Sequence, residues 1–323
     1  GAFSLEKRMS QDSKIEWTDH TFNPWEGCQR VGPGCDHCYA ETRNARYSGG
    51  QAINWGPGAP RRRTSVSNWN LPRRWNAQAE AFQAQHGRRQ RVFCASLADV
   101  FDNAVSREWR DDLAALILDT ADLDWLLLTK RIGNAGAMLG EMFLDGPPAN
   151  VWLGATVVNQ AEADRDILKL LRIPASVRFL SMEPLLGPVS FEGFFANPSN
   201  IADGTNALEE LDWVIAGGES GPGARPTHPN WHRELRDQCE AVGTPFLFKQ
   251  WGEFAPALSG LYFHPLEGGP QFRPRVADQT THDFGDGYGA VRIGKKAAGR
   301  ELDGKTWDEF PVLQHTALRK PHE

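Results

Sequence analysis

The sequence predicts an α/β protein built on a parallel sheet. Six short, almost wholly apolar runs recur along the chain, from Val92-Phe93-Cys94-Ala95-Ser96 to Pro245-Phe246-Leu247-Phe248-Lys249. Stretches of helical periodicity separate most of them. Strands buried on both faces read as continuous apolar runs, the mark of a parallel sheet covered by helices. A doubly wound sheet and a barrel both satisfy this pattern.

The elements follow in order. A first strand is expected near Ile15 to Thr21, then a cysteine-bearing loop, then a short helix over Glu41 to Tyr47. Gly49 to Thr64 is rich in Gly and Pro and reads as an irregular loop. Leu71 to Gln85 reads as a helix with Pro72 in its first turn. The strand at Val92 is followed by a helix from Ser106, its N-cap, to Thr120. Trp125 to Thr129, Val151 to Ala155, Val177 to Ser181 and Trp213 to Gly217 are strands. Helices over Asn134 to Phe143, Asn159 to Leu171 and Asn230 to Ala241 lie among them, and a longer connection spans Leu185 to Leu211. With the last strand at Pro245 this makes about seven.

The pattern breaks after Trp251. Residues 12–251 are expected to form the α/β domain and 252–323 a small β-rich appendage, with Val291-Arg292-Ile293 extended and a Gly-Lys-Lys turn after it. The chain has 323 residues, 40% of them hydrophobic and 24% charged, as expected of a soluble globular protein. No apolar run approaches a membrane span, and the polar start, Gly1 to Arg8, does not resemble a secretory signal. Clustered cysteines with no evident pairing point to a reducing cytoplasm. The net charge of −6 makes no global case for nucleic acid. Locally, Arg61 to Arg91 holds eight arginines and one glutamate, with Trp69 and Trp75 interleaved. Arg61, Arg62, Arg63, Trp69, Arg73 and Arg74 are therefore candidates for phosphate tracking and base stacking. A solvated basic lid fits the same residues.

Chemistry collects in two places. Cys28, Cys35 and Cys38, three of the chain's five cysteines, fall in the turn-rich stretch Gly27 to Glu41. An odd number of thiols fits a disulfide framework poorly and is one short of a closed zinc site. A four-iron cluster on three cysteines leaves one iron open. Ligands of parallel sheets bind at the carboxyl ends of the strands. There the chain has Ser96 and Asp99, Thr129-Lys130-Arg131, Thr156, Ser181-Met182-Glu183-Pro184, Gly217-Gly218-Glu219-Ser220 and Lys249-Gln250-Trp251.

The segment from Gly34-Cys35 to Cys38-Tyr39-Ala40-Glu41 resembles the cluster loop of radical S-adenosylmethionine enzymes, especially the spore photoproduct lyase-like branch. It has six residues between its first two cysteines where that pattern has three, and His37 where the pattern has an aromatic. A fuller resemblance runs from Ile15-Glu16-Trp17-Thr18 to Phe310-Pro311. It takes in the Ser181, Gly217 and Lys249 blocks and Gly294-Lys295-Lys296-Ala297-Ala298-Gly299-Arg300. It is to a phage- and prophage-associated family of radical-SAM-like three-cysteine proteins of unassigned function. This resemblance implies a partial (β/α) barrel of about six to seven parallel strands. It implies a 4Fe-4S cluster on Cys28, Cys35 and Cys38, with S-adenosylmethionine at the open iron as the source of a 5′-deoxyadenosyl radical. Ser96, Asp99, Ser181, Gly217, Gly218 and Glu219 are then candidates to bind the cofactor, although the Gly-Gly-Glu of such enzymes usually lies on the second strand. Glu183 and Lys130 are catalytic candidates, and Cys94 a hydrogen-atom donor. The expected substrate is a nucleotide or nucleic acid, and the expected reductant a flavodoxin or ferredoxin. By analogy, a methyltransferase-like three-Cys-motif partner protein is implied. The alternative is a metal-stabilised nucleic-acid- or partner-binding protein without catalysis.

Overall fold

The computed structural model describes residues 13–196, 204–258, 261–266, 269–274 and 280–312; the polar start falls outside them. In chain order the first strands are β1 (His20–Phe22), β2 (Trp25–Glu26), β3 (Arg62–Arg63), β4 (Gln90–Cys94) and β5 (Leu123–Thr129). There follow β6 (Val151–Thr156), β7 (Val177–Met182), β8 (Trp213–Gly217) and β9 (Phe246–Gln250). Seven of these join one parallel sheet in the order β1-β4-β5-β6-β7-β8-β9. Strand order follows chain order without reversal, which rules out the doubly wound alternative. β1 and β9 do not pair, so the sheet is a half-barrel with two edges.

The pleat sorts side chains between two cores. Phe93, Leu126, Trp152, Phe179, Trp213, Ile215 and Leu247 fill the inside of the half-barrel, with Trp17 among them. Val92, Cys94, Trp125, Leu127, Leu153, Leu180 and Val214 face outward and pack with the helices. Gly154 has a steric reason: a Cβ there would stand 2.3 Å from the Phe179 ring, which covers the strand.

The helices are α1 (Tyr39–Tyr47), α2 (Val66–Trp69), α3 (Leu71–Asn76), α4 (Ala79–His86), α5 (Arg107–Asp119), α6 (Ile132–Met142), α7 (Gln160–Leu171), α8 (Pro229–Val242) and α9 (Lys295–Ala298). The expected cap is present: Ser106 accepts from Trp109 N–H. The single helix expected over Leu71 to Gln85 is instead α3 and α4. The core takes Leu71, Pro72 and Trp75, whereas no residue of α4 is buried, so nothing holds the second half in line with the first. The expected Gly-Lys-Lys turn is the one-turn helix α9, anchored by buried Ala298. No helix among the described residues is long and apolar enough to cross a membrane.

The C-terminal region contains β10 (Phe254–Leu258), β11 (Leu261–Leu266), β12 (Gly269–Pro274), β13 (Thr281–Asp283) and β14 (Tyr288–Arg292). They form an antiparallel sheet in the order β12-β11-β10-β14-β13, the expected β-rich appendage. The chain then returns to the half-barrel. Phe248 N–H donates to Trp307 O and Glu309 N–H to Phe246 O, covering the open edge of β9. Leu302 and Trp307 belong to the outer core of the barrel.

Candidate metal centre

The cysteine loop lies over the carboxyl ends of the parallel strands. Backbone turns set its path: Cys35 N–H donates to Gly32 O and Asp36 N–H to Pro33 O. Cys38 is the N-cap residue of α1. Two close approaches seat the loop against the turn after β6 and against α7. A Cβ on Gly34 would stand 2.9 Å from Val158 Cγ1, and one on Gly32 2.5 Å from Glu162 Oε1.

Cations flank the sulfurs. Arg131 Nη1 donates to Cys28 Sγ at 3.3 Å and to Asp99 Oδ2 at 3.2 Å, while Nη2 donates to Gln29 O at 2.8 Å. Burial pushes the Cys28 thiol up to about 11 against the pull of Arg131. Burial also lifts the Cys38 thiol. The N–H groups of Glu41 and Ala40 and the Lys130 ammonium oppose that rise. Lys130 Nζ donates to Thr156 Oγ1 at 3.2 Å and has no carboxylate partner among the described residues. All three loop cysteines are partly exposed free thiols. Among the described residues no three His, Cys, Asp or Glu side chains converge on a point where one metal ion would sit.

A second charged network clamps the loop from the β8 side. Arg225 Nε and Nη2 hold the two oxygens of Glu219 at 2.8 and 2.7 Å. Its Nη1 reaches Asp36 Oδ2 at 2.9 Å, and Nη2 also reaches Pro33 O. His37 Nδ1 lies 3.1 Å from Glu219 Oε2. Burial would raise the Glu219 carboxyl, yet hydrogen bonds from Arg225 and His37 hold it below the usual carboxylate range.

Most of the predicted cofactor residues take part in building the rim. Glu219 is spent on the clamp. Asp99 accepts from Thr129 Oγ1, from the N–H groups of Phe101 and Lys130, and from Arg131. Ser96 is tied to Asn23, whose side chain also receives Leu97 N–H, and its carbonyl accepts from Tyr39. Ser181 is buried and its carbonyl accepts from Val157 N–H. Gly218 is needed because a Cβ would stand 1.9 Å from Trp251 O; at Gly217 the nearest atom is Gln250 O, 3.3 Å away. Both glycines thus allow the end of β8 to approach the end of β9.

Cys94 faces the outer core and is fully buried, so its thiol points away from the rim. Glu183 does lie at the rim: its Oε2 is 2.6 Å from Lys249 Nζ, and its Oε1 is buried without a donor. Tyr39 presents an open ring beside it, 58% exposed.

The basic segment is a brace. Arg61 pairs with Asp102, Arg62 with Glu26, Arg63 with Asp112 and Arg73 with Asp119. Trp69 is buried under Arg63, and Trp75 stacks on His20 in the core. Arg74 stays exposed. The residues that sequence reasoning missed are Asn23, Asp36 and Arg225. Each is a lone polar residue in a loop, with a partner that only the fold brings near.

Residues 12–311 match a family described as "Protein of unknown function (DUF5131)". No curated protein matches the chain.

Proposed function

The chain belongs to the DUF5131 family, and from that premise we propose that it is a radical S-adenosylmethionine enzyme with a 4Fe-4S cluster on Cys28, Cys35 and Cys38. The observation that carries this reading is the pairing of three partly exposed thiols with two cations, Arg131 and Lys130, on the carboxyl rim of a parallel half-barrel. Three thiolates bring negative charge into a half-buried place, and the adjacent cations offset it. Three thiols are one short of a closed zinc site, whereas a four-iron cluster takes three and leaves one iron open.

When bound, such a cluster supplies the electron that cleaves S-adenosylmethionine to methionine and a hydrogen-abstracting 5′-deoxyadenosyl radical. The chain's own residues do the rest. Arg131, fixed by Asp99, donates to the Cys28 sulfur. Glu219, Arg225 and Asp36 hold the loop to the rim. Glu183 Oε1 is ready to accept from a hydroxyl or ammonium, and Lys249 Nζ, 2.6 Å from Oε2, holds that carboxylate in place. The open face of Tyr39 offers a flat surface. Most arginines of the basic segment already answer carboxylates, which weakens the case for a nucleic-acid substrate; a nucleotide is the class to test first. A flavodoxin or ferredoxin as reductant and a three-Cys-motif partner protein belong to the same proposal.

Anaerobically purified protein should be brown and carry about four irons per chain. Dithionite and S-adenosylmethionine should then release 5′-deoxyadenosine. Replacing the three cysteines together by Ala should remove colour and cleavage. Stoichiometric zinc without iron after anaerobic reconstitution would end this reading.

A further inference from the structure

We propose that the amino end of the half-barrel holds a second ligand site, for a small oxyanion that also carries a hydrogen-bond donor, read by Arg91 and Glu16. A cleft of about 280 Å³ lies there, lined by Glu16, Trp17, Asp19, Arg88, Arg91 and Phe310 among others. Arg91 is the second residue of β4 and Trp152, beside it, the second of β6, so this cleft is at the opposite end of the strands from the cysteines. It stands independently of the cluster.

The Arg91 side chain is 8% exposed and lies between rings, 4.0 Å from the Phe310 centroid and 5.7 Å from that of Trp152. Its guanidinium donates to no acceptor among the described residues, and Nε is buried without one. Every neighbouring carboxylate but one is committed. Asp19 receives both Arg88 Nη groups, at 2.7 and 2.8 Å, and the backbone N–H of Arg91 at 2.8 Å. Asp124 pairs with Arg89, and Asp308 with Arg300. The exception is Glu16, whose Oε2 is buried with no donor and which forms no bridge to Arg91. A buried guanidinium with no hydrogen-bonded counter-ion is costly; burial, with Arg88 beside it, pulls Arg91 down to about 10 against the opposing pull of Asp19 and Asp124.

A ligand with an anionic oxygen for Arg91 and an O–H or N–H for Glu16 satisfies both groups at once. Monohydrogen phosphate and hydroxycarboxylates have this pair of functions, while acetate has only the first. Trp17 and Phe310 add apolar walls that suit a compact organic acid as well as phosphate.

The test is thermal unfolding of the full chain with inorganic phosphate, lactate or acetate at fixed pH and ionic strength. Phosphate or lactate should raise Tm saturably, and which of them does so identifies the source of the oxyanion; acetate should act about tenfold more weakly. Arg91→Met should abolish the response. Glu16→Met, which removes the acceptor, should keep the anion response but lose the preference over acetate. If Arg91→Met does not fold, the Glu16→Met comparison decides. Melting that follows ionic strength alone with all three anions, or an Arg91→Met or Glu16→Met protein that responds as the wild type does, overturns the site.

Discussion

Arg225 governs the position of the cysteine loop more than any residue within that loop. One guanidinium joins Glu219 on β8's outgoing turn, Asp36 between two cysteines, and the Pro33 carbonyl. Its fork geometry is what allows three partners at once, which an ammonium would not match. Removing either end of the pair leaves the other charge poorly satisfied in a place where Glu219 is 7% exposed. We therefore expect Glu219→Ala or Arg225→Met to cost about 1–3 kcal/mol of local stability. In metal-free protein, Cys35 and Cys38 should react faster with a thiol reagent in either variant, while buried Cys239 stays inert. Labelling rates equal to wild type would remove the clamp from the account of the loop. Arg225→Lys should recover only part of the effect, because the bidentate contact is lost.

At the scale of elements, the rim is assembled from close approaches that leave no room for side chains. The end of β8 crosses the Trp251 backbone so tightly that a Cβ on Gly218 would overlap its carbonyl, and backbone cannot step aside without moving β9. The cysteine loop meets the turn after β6 more softly, since the atom facing Gly34 is a valine methyl. Gly218→Ala should therefore destabilise by about 3 kcal/mol or more and Gly34→Ala by about 1 kcal/mol, read from denaturant midpoints at unchanged slope. An inverted order would mean that β8 and β9 adjust more readily than their backbone contact implies. The strands themselves were legible in the sequence. Val92 to Ser96 and its successors are apolar runs of strand length, and burial on both faces leaves that trace. The first strand, expected near Ile15 to Thr21, is His20–Phe22, because Trp17 turns inward to join the inner core and Asp19 is drawn to the Arg91 N–H. The three cysteines were legible from count and spacing. The purpose of Gly217-Gly218 was not, because a glycine's neighbour across a sheet has no sequence signature.

For the molecule as a whole, the return of the chain from the appendage to β9 closes a core around a neutral histidine. His232 on α8 is fully buried, with Nε2 2.9 Å from Thr227 Oγ1 and its ring against Phe248 and Trp251. Burial pulls it down to about 3, with Arg233 and His228 adding repulsion. The folded protein thus leaves His232 unprotonated at pH values where the unfolded chain, titrating near 6.5, takes up a proton. More protons bound in the unfolded state means that stability rises with pH, so this contribution is complete above about pH 6.5 and is lost as the pH falls toward about 3. Asp124 works the other way: burial pushes it up to about 6 against Arg89, Arg91 and Arg88, so its proton is kept on folding and stability drops as pH rises through that value. The two slopes oppose each other in the wild type, and only the difference between variants isolates one of them. Between pH 6.5 and 5, His232→Gln should remove a slope of about one proton, a change of about 2 kcal/mol in the unfolding free energy across that window. Asp124→Asn should change the slope in the opposite sense. Denaturant unfolding of the three proteins at both pH values measures this directly. Parallel behaviour of wild type and His232→Gln would mean that His232 carries a proton in the folded core, and that Thr227 and the Trp251 ring accommodate a charge there.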